Sequence, residues 1–260
     1  MLGKLIKHEC IATGRKYVIF YLVLAMVTLC NVLIQFISID SVMIQGMKGI
    51  VMGLYILTII GVLFCSVGFA VIRFYKNMVS EEGYLTFTLP AKVEALVAAK
   101  LIVAFLWQLV TVIICILSVS VICFQGRESE FLKEGAELLH HVLQEYNGVV
   151  FAMLLFLAVS LLYQMIVYYF SIAIGQLFSG NKIIGAVAGY CLLNFALQVL
   201  SIAIMVVLGL VFSFQRLDEY INSEQGMLVF LYVYSVFMVF MTAGGFLLTC
   251  RLLKKKLNLS

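Results

Sequence analysis

Charge, proline and histidine are all scarce in this chain. One proline, three histidines and 12% charged residues stand among 260 positions, of which 64% are hydrophobic. A soluble domain is about a quarter charged. Too few polar side chains exist here to cover a surface facing water, so a water-soluble globular enzyme is excluded. Disorder is excluded too, because it needs low hydrophobicity and high charge. A single proline and nineteen scattered glycines suit long helices, whereas a β-barrel needs short alternating strands. Seven cysteines lie mostly inside apolar runs, with no CxxC pair. That pattern carries no disulfide framework and no zinc site.

What is abundant is long apolar sequence. About 20 such residues cross a bilayer as a helix. Six runs qualify: 17–39, 50–72, 101–124, 149–170, 183–211 and 227–250, and none contains Asp, Glu, Lys, Arg or His. The sequence therefore predicts an all-α integral membrane protein, a single domain over 1–260. Helices are required because lipid offers no partner to unpaired backbone groups. The fifth run exceeds one crossing, which allows a tilt or a break.

Lysine and arginine placement predicts orientation. Lys4, Lys7, Arg15, Lys16, Arg73, Lys76, Lys92, Lys100, Lys182, Arg251, Lys254, Lys255 and Lys256 fall on one side. Only Lys48, Arg127, Lys133 and Arg216 fall on the other. Both termini are expected in the cytoplasm. The net charge of +4 is then a topology signal, with no bearing on nucleic acid. The first run is read as a retained signal anchor, too long for a cleaved signal core.

Residues 1–16 are expected to form an amphipathic helix on the inner membrane surface. Leu2, Leu5, Ile6 and Ala12 share one arc, and Lys4, Lys7, His8 and Arg15 the other. Glu9 falls within the apolar arc, where a cation inside the protein is one possible partner. The loop 125–148 reads as an amphipathic helix outside the membrane. Glu137, His141 and Glu145 in it have four-residue spacing, which on a solvated face more often means solvation than metal binding. No metal site is assigned.

Polar residues inside the runs are few. Asn31 and Gln35 share a face of the first span, and Asn194 and Gln198 share one of the fifth. Gln108 and Gln164 stand alone. Two readings fit such amides: a stripe lining a substrate path, or hydrogen-bonding glue between helices. GxxxG spacing occurs at Gly185/Gly189 and at Gly49/Gly53, which permits close helix approach. Without an ionisable group in any span, a proton- or sodium-coupled carrier lacks its coupling carboxylate. No phosphate-binding loop and no catalytic acid, base or metal constellation is present, so the chain reads as no enzyme. Work against a gradient must then draw energy from another chain.

The stretch 73–100 is the most informative. Ser80 is an N-cap candidate with Glu81 and Glu82 in the following turn. Gly83 can redirect the chain, Tyr84, Leu85, Phe87 and Leu89 cluster, and Pro90 can open a helix that runs unbroken into the third span. Force transmission and a bland interfacial loop fit these residues equally. Six spans, both termini inside, an amphipathic N-terminal helix, Arg73-Phe74-Tyr75-Lys76-Asn77 and Glu82-Gly83-Tyr84-Leu85-Thr86-Phe87-Thr88-Leu89-Pro90 together resemble an ABC-2-type ABC-transporter permease subunit. The likeness is to the small six-span permeases of Gram-positive bacteria.

That resemblance implies a bacterial plasma-membrane protein with a cytoplasmic coupling helix at about 80–89. Glu81, Glu82, Gly83, Tyr84, Leu85 and Phe87 would contact a separate ATPase subunit, which holds the ATP and Mg. This chain itself would need no cofactor. A second permease copy or paralogue completes the complex in the lipid bilayer. The path would lie between permeases, along the first, second and fifth spans, with Asn31, Gln35, Asn194 and Gln198 facing it. The implied function is export of an amphiphilic or hydrophobic substrate such as a peptide, lipid or drug. The alternative is a membrane sensor or assembly partner that moves nothing. The long loop 125–148 is less typical of the family.

Overall fold

A computed structural model describes residues 2–35, 42–80, 92–123, 147–178, 182–212 and 223–257. Six helices account for almost all of them: α1 (Leu2–Gln35), α2 (Val42–Met78), α3 (Val93–Cys123), α4 (Asn147–Gly175), α5 (Lys182–Phe212) and α6 (Glu224–Leu257). Among the described residues there is no strand. All six are long and apolar enough to cross a membrane. Each contains one of the apolar runs, as far as that run is described.

The surface confirms what the composition requires. Phe64, Phe151, Phe195 and Phe240 are each more than half exposed, as are many leucines, isoleucines and valines along the same helices. Soluble monomers rarely leave contiguous apolar patches beyond a few hundred Å². Here lipid must cover them, and the chain is a multi-pass membrane protein.

One expected boundary changes. No break separates residues 2–16 from the first span, and α1 is one helix of 34 residues. Gly14 does not end a helix segment. A Cβ there would lie 3.3 Å from the Trp107 ring, so the glycine admits a neighbouring side chain. The inward side of this segment carries Leu5, Ile6, Glu9, Cys10 and Thr13, while Leu2 and Ala12 are exposed. Glu9 thus does lie on the more buried side, and it is not without a partner. The fifth run, in turn, forms one helix of 31 residues.

The chain divides into two compact units, 1–72 with 102–141 and 73–101 with 142–260. Helices α2 and α3 contribute to both. Their apolar lengths belong with α1. Their ends flanking 81–91 belong with α4, α5 and α6.

In the first unit, Leu24, Tyr55, Val62, Cys115 and Ile122 form a buried cluster, with Phe20, Val27, Ile59, Leu63 and Ile114 against it. In the second, α4 packs along α6 and α5. The end of α4 and the start of α5 come very close. A Cβ on Gly175 would fall 2.6 Å from the Ala186 backbone nitrogen. One on Gly185 would fall 2.8 Å from Phe178, and one on Gly189 3.3 Å from Ile174. The GxxxG at Gly185/Gly189 therefore serves packing within the chain. Among the described residues its counterpart at Gly49/Gly53 meets nothing within 4 Å.

Candidate functional site

Hydroxyl groups bind α1, α2 and α3 together at several levels within the first unit. Trp107, the single tryptophan, donates Nε1–H to Thr13 Oγ1 at 2.8 Å. Its indole stacks on Tyr17, with centroids 4.8 Å apart and planes within 5°. Tyr17 donates its hydroxyl to the Ser66 carbonyl at 3.0 Å. Tyr21 Oη lies 3.0 Å from Thr111 Oγ1. Further along, Ser118 Oγ sits 2.7 Å from Thr28 Oγ1 and 2.8 Å from Tyr55 Oη. Lys16 Nζ stands 5.0 Å from the centroid of the Phe69 ring, within cation–π range.

Gln108 joins the same network. Its side-chain oxygen is 3.1 Å from Ser66 Oγ, and its nitrogen is buried without a partner. Ser66 Oγ also reaches the Leu63 carbonyl at 2.8 Å. A hydroxyl has one proton to give.

The two amide pairs expected along a path have different fates. Asn31 is only 1% exposed. Its nitrogen approaches Met52 Sδ at 3.8 Å and its oxygen accepts from Gln35 Nε2 at 2.6 Å. This pair is used up inside the first unit. Asn194 and Gln198 are exposed on α5. Asn194 donates back to the Tyr190 carbonyl at 2.9 Å. Of the single amides, Gln164 donates to Tyr190 Oη at 3.4 Å, and Tyr190 stacks on Tyr168.

Glu81, Glu82, Gly83, Tyr84, Leu85 and Phe87 lie outside the described residues, as does the loop carrying Glu137, His141 and Glu145. Their flanks are described. Helix α2 runs to Met78, past the apolar run, and Ser80 Oγ donates to the Lys76 carbonyl. Ser80 therefore closes α2 and gives its hydroxyl backward. On the far side, α3 is unbroken from Val93 through Cys123. Among the described residues, no group of three or more His, Cys, Asp or Glu side chains is arranged to hold a metal.

The hydroxyl ladder was not among the expected features. Serine, threonine and tyrosine are common in spans, and most bond their own helix four residues back, as Thr58 and Ser120 do here. Nothing in sequence separates those from Ser118 or Thr111. No family model matches this chain, and no curated relative or solved structure matches it.

Proposed function

We propose that this chain is the membrane-spanning permease subunit of an ATP-driven transporter of the ABC-2 type. It exports an amphiphilic or hydrophobic substrate and draws energy from a separate ATPase subunit that binds ATP and Mg. The observation that carries the reading is the stretch 73–100. Two long helices overrun their apolar lengths there, α2 to Met78 and α3 from Val93. Between them stands the acidic, aromatic run Glu81–Pro90. Two stiff stems on either side of such a run suit reception of force from outside the membrane. Lysines and arginines gather on the side of this stretch, which supports a cytoplasmic position for it and for both termini.

A second permease chain fits the exposed amides of α5. Polar groups in a span are costly against lipid and usually face protein or water. Asn194 and Gln198 then belong to an interface or a path between two copies. ATP closing the partner ATPases drives the switch by binding one arrangement more tightly than the other.

Purification from native cells in gentle detergent, with mass spectrometry and ATPase assay on one sample, tests this. A stoichiometric ATPase is expected, and it is lost when Glu82 and Tyr84 are both replaced. Repeated recovery without an ATPase, from cells that express one, refutes the reading. The alternative, a sensor or assembly partner, draws on the burial of Asn31. Substrate-stimulated ATP hydrolysis separates the two.

A further inference from the structure

The ends of α2 and α3 that flank 81–91 are gripped from the side by α4 and α6. Phe74, on the overrun of α2, lies face to face with Tyr169 of α4. Their centroids are 3.8 Å apart and their planes within 7°. Both rings are 1% exposed. The same Tyr169 donates its hydroxyl to the Lys100 carbonyl of α3 at 3.5 Å. Lys100 is itself buried, at 7% exposure. Its ammonium reaches the Asn77 side-chain oxygen at 3.2 Å when that amide is turned so that its nitrogen donates to the Arg73 carbonyl. At the start of α3, Glu94 forms an ion pair with Lys254 of α6. Just before it on α6, Thr249, Cys250 and Leu253 are buried.

One side chain of α4 thus touches both stems, and one of α6 holds the start of α3. We infer that α4 and α6 receive the displacement of the coupling stretch directly, with Tyr169 as the positioning residue that locks both stems to them. This rests on the permease reading. The sequence offers the unbroken helix into the third span as a stiff rod for such force. A rod clamped along its buried flank cannot slide alone. It moves with its clamp, or the ring stack and the buried contacts must part. Close-packed interiors resist the second course and switch between discrete arrangements as blocks. A claim of coupling needs a measurement of coupling, and the geometry supplies one.

Hydrogen exchange on the whole chain in lipid nanodiscs, without any ATPase, reads the clamp itself. Tyr169→Ala is expected to speed exchange of backbone amides in both 74–80 and 94–100 by about tenfold, as local opening there becomes easier. Tyr169→Phe keeps the stack and leaves 74–80 unchanged. Stem exchange unaltered in Tyr169→Ala, with α4 and α6 still protected, overturns the inference. Should Tyr169→Ala unfold the unit, the charge pair decides. Glu94→Lys and Lys254→Glu each loosen 94–97, and the two together restore it. A double variant no better than the singles counts against the clamp. In the complex with its ATPase, Tyr169→Ala keeps hydrolysis and loses at least about tenfold in transport, the signature of hydrolysis uncoupled from movement of the spans. Transport at the wild-type level refutes the transmission role. If the wild-type chain recovers no ATPase, the permease reading fails by itself, and the exchange result still reports whether the stems are clamped.

Discussion

The two units meet one problem by different means. Apolar helices in lipid gain little from hydrophobic burial against each other, so packing and hydrogen bonds must supply specificity. The first unit uses hydroxyl and amide groups: Thr13, Tyr17, Tyr21, Thr28 and Asn31 of α1 each reach a partner on α2 or α3. The second unit, beside polar contacts such as Glu94–Lys254, also removes side chains. Gly175, Gly185 and Gly189 let the end of α4 touch the start of α5, and aromatic pairs such as Phe156–Tyr234 and Tyr168–Tyr190 fill what remains. The lesson is that a polar residue and a missing side chain can be interchangeable answers in a bilayer. They fail differently when mutated.

Trp107 gives the largest expected effect. Its ring stacks on Tyr17, its N–H reaches Thr13, and Gly14 makes room for it. Truncation to alanine removes all three at once. Trp107 is only half-buried, so the loss falls below the about 3–5 kcal/mol typical of a fully buried large aromatic. The Trp107→Ala chain should show a sharply lowered midpoint in denaturing-detergent titration. A midpoint near wild type would break the comparison, because the first unit would then not depend on its cross-links.

Glycine substitutions sharpen the comparison from the other side. At Gly175 an added methyl would meet the Ala186 backbone at 2.6 Å, and backbone cannot swing away. Overpacking of this kind costs about 1–3 kcal/mol, so Gly175→Ala should lower thermal stability in detergent. Gly53→Ala meets nothing within 4 Å. Alanine favours a helix over glycine by up to about 1 kcal/mol, so this variant should match or exceed wild type. Equal gain in both would show that helix propensity, not contact, governs the glycines.

Ser118 tests whether the hydroxyls act as a network. A double-mutant cycle of Tyr55→Phe with Ser118→Ala removes a 2.8 Å bond. Interhelical hydrogen bonds in membranes average about 0.6 kcal/mol and reach about 1.7. A coupling energy in that range supports the ladder. A value indistinguishable from zero makes it decoration on ordinary packing.

These contrasts explain what the sequence could and could not tell. Six helices were legible because about 20 apolar residues in a row have few other fates. Their ends were not, because hydropathy measures lipid contact while helices continue through polar residues such as Lys76 and Asn77. The N-terminal helix was expected to stand apart from the first span. It does not, since the residues around Gly14 contain no helix stop and the glycine faces Trp107. The two GxxxG pairs have identical spacing, yet one is jammed against α4 and the other is open. Spacing sets what a face permits, and the partner decides its use. The same holds for the amides: Asn31 and Asn194 looked alike, and only tertiary packing separated the buried one from the exposed one. The expected coupling residues fall outside the described residues. For them the structure adds only the stems on either side.

The smallest effect concerns Asn194 and Gln198, and it bears on what lies outside this chain. Both stand exposed on α5, the candidate span with the least of its surface buried. If lipid covers them, replacing both by leucine removes a penalty and should stabilise the protein or leave it unchanged. If a second copy covers them, each amide contributes about 0.6 kcal/mol across the interface. Losing two from each copy removes roughly 2 kcal/mol, which weakens association by more than about tenfold. Self-association therefore weakens in the second case and stays unchanged in the first, where only the stability of the single chain can rise. Sedimentation in detergent alongside a thermal melt reads both quantities on one sample. The permease reading expects weaker dimers with intact monomers. An unchanged dimer with a more stable monomer would assign this face to lipid and leave the exposed amides without a role in assembly.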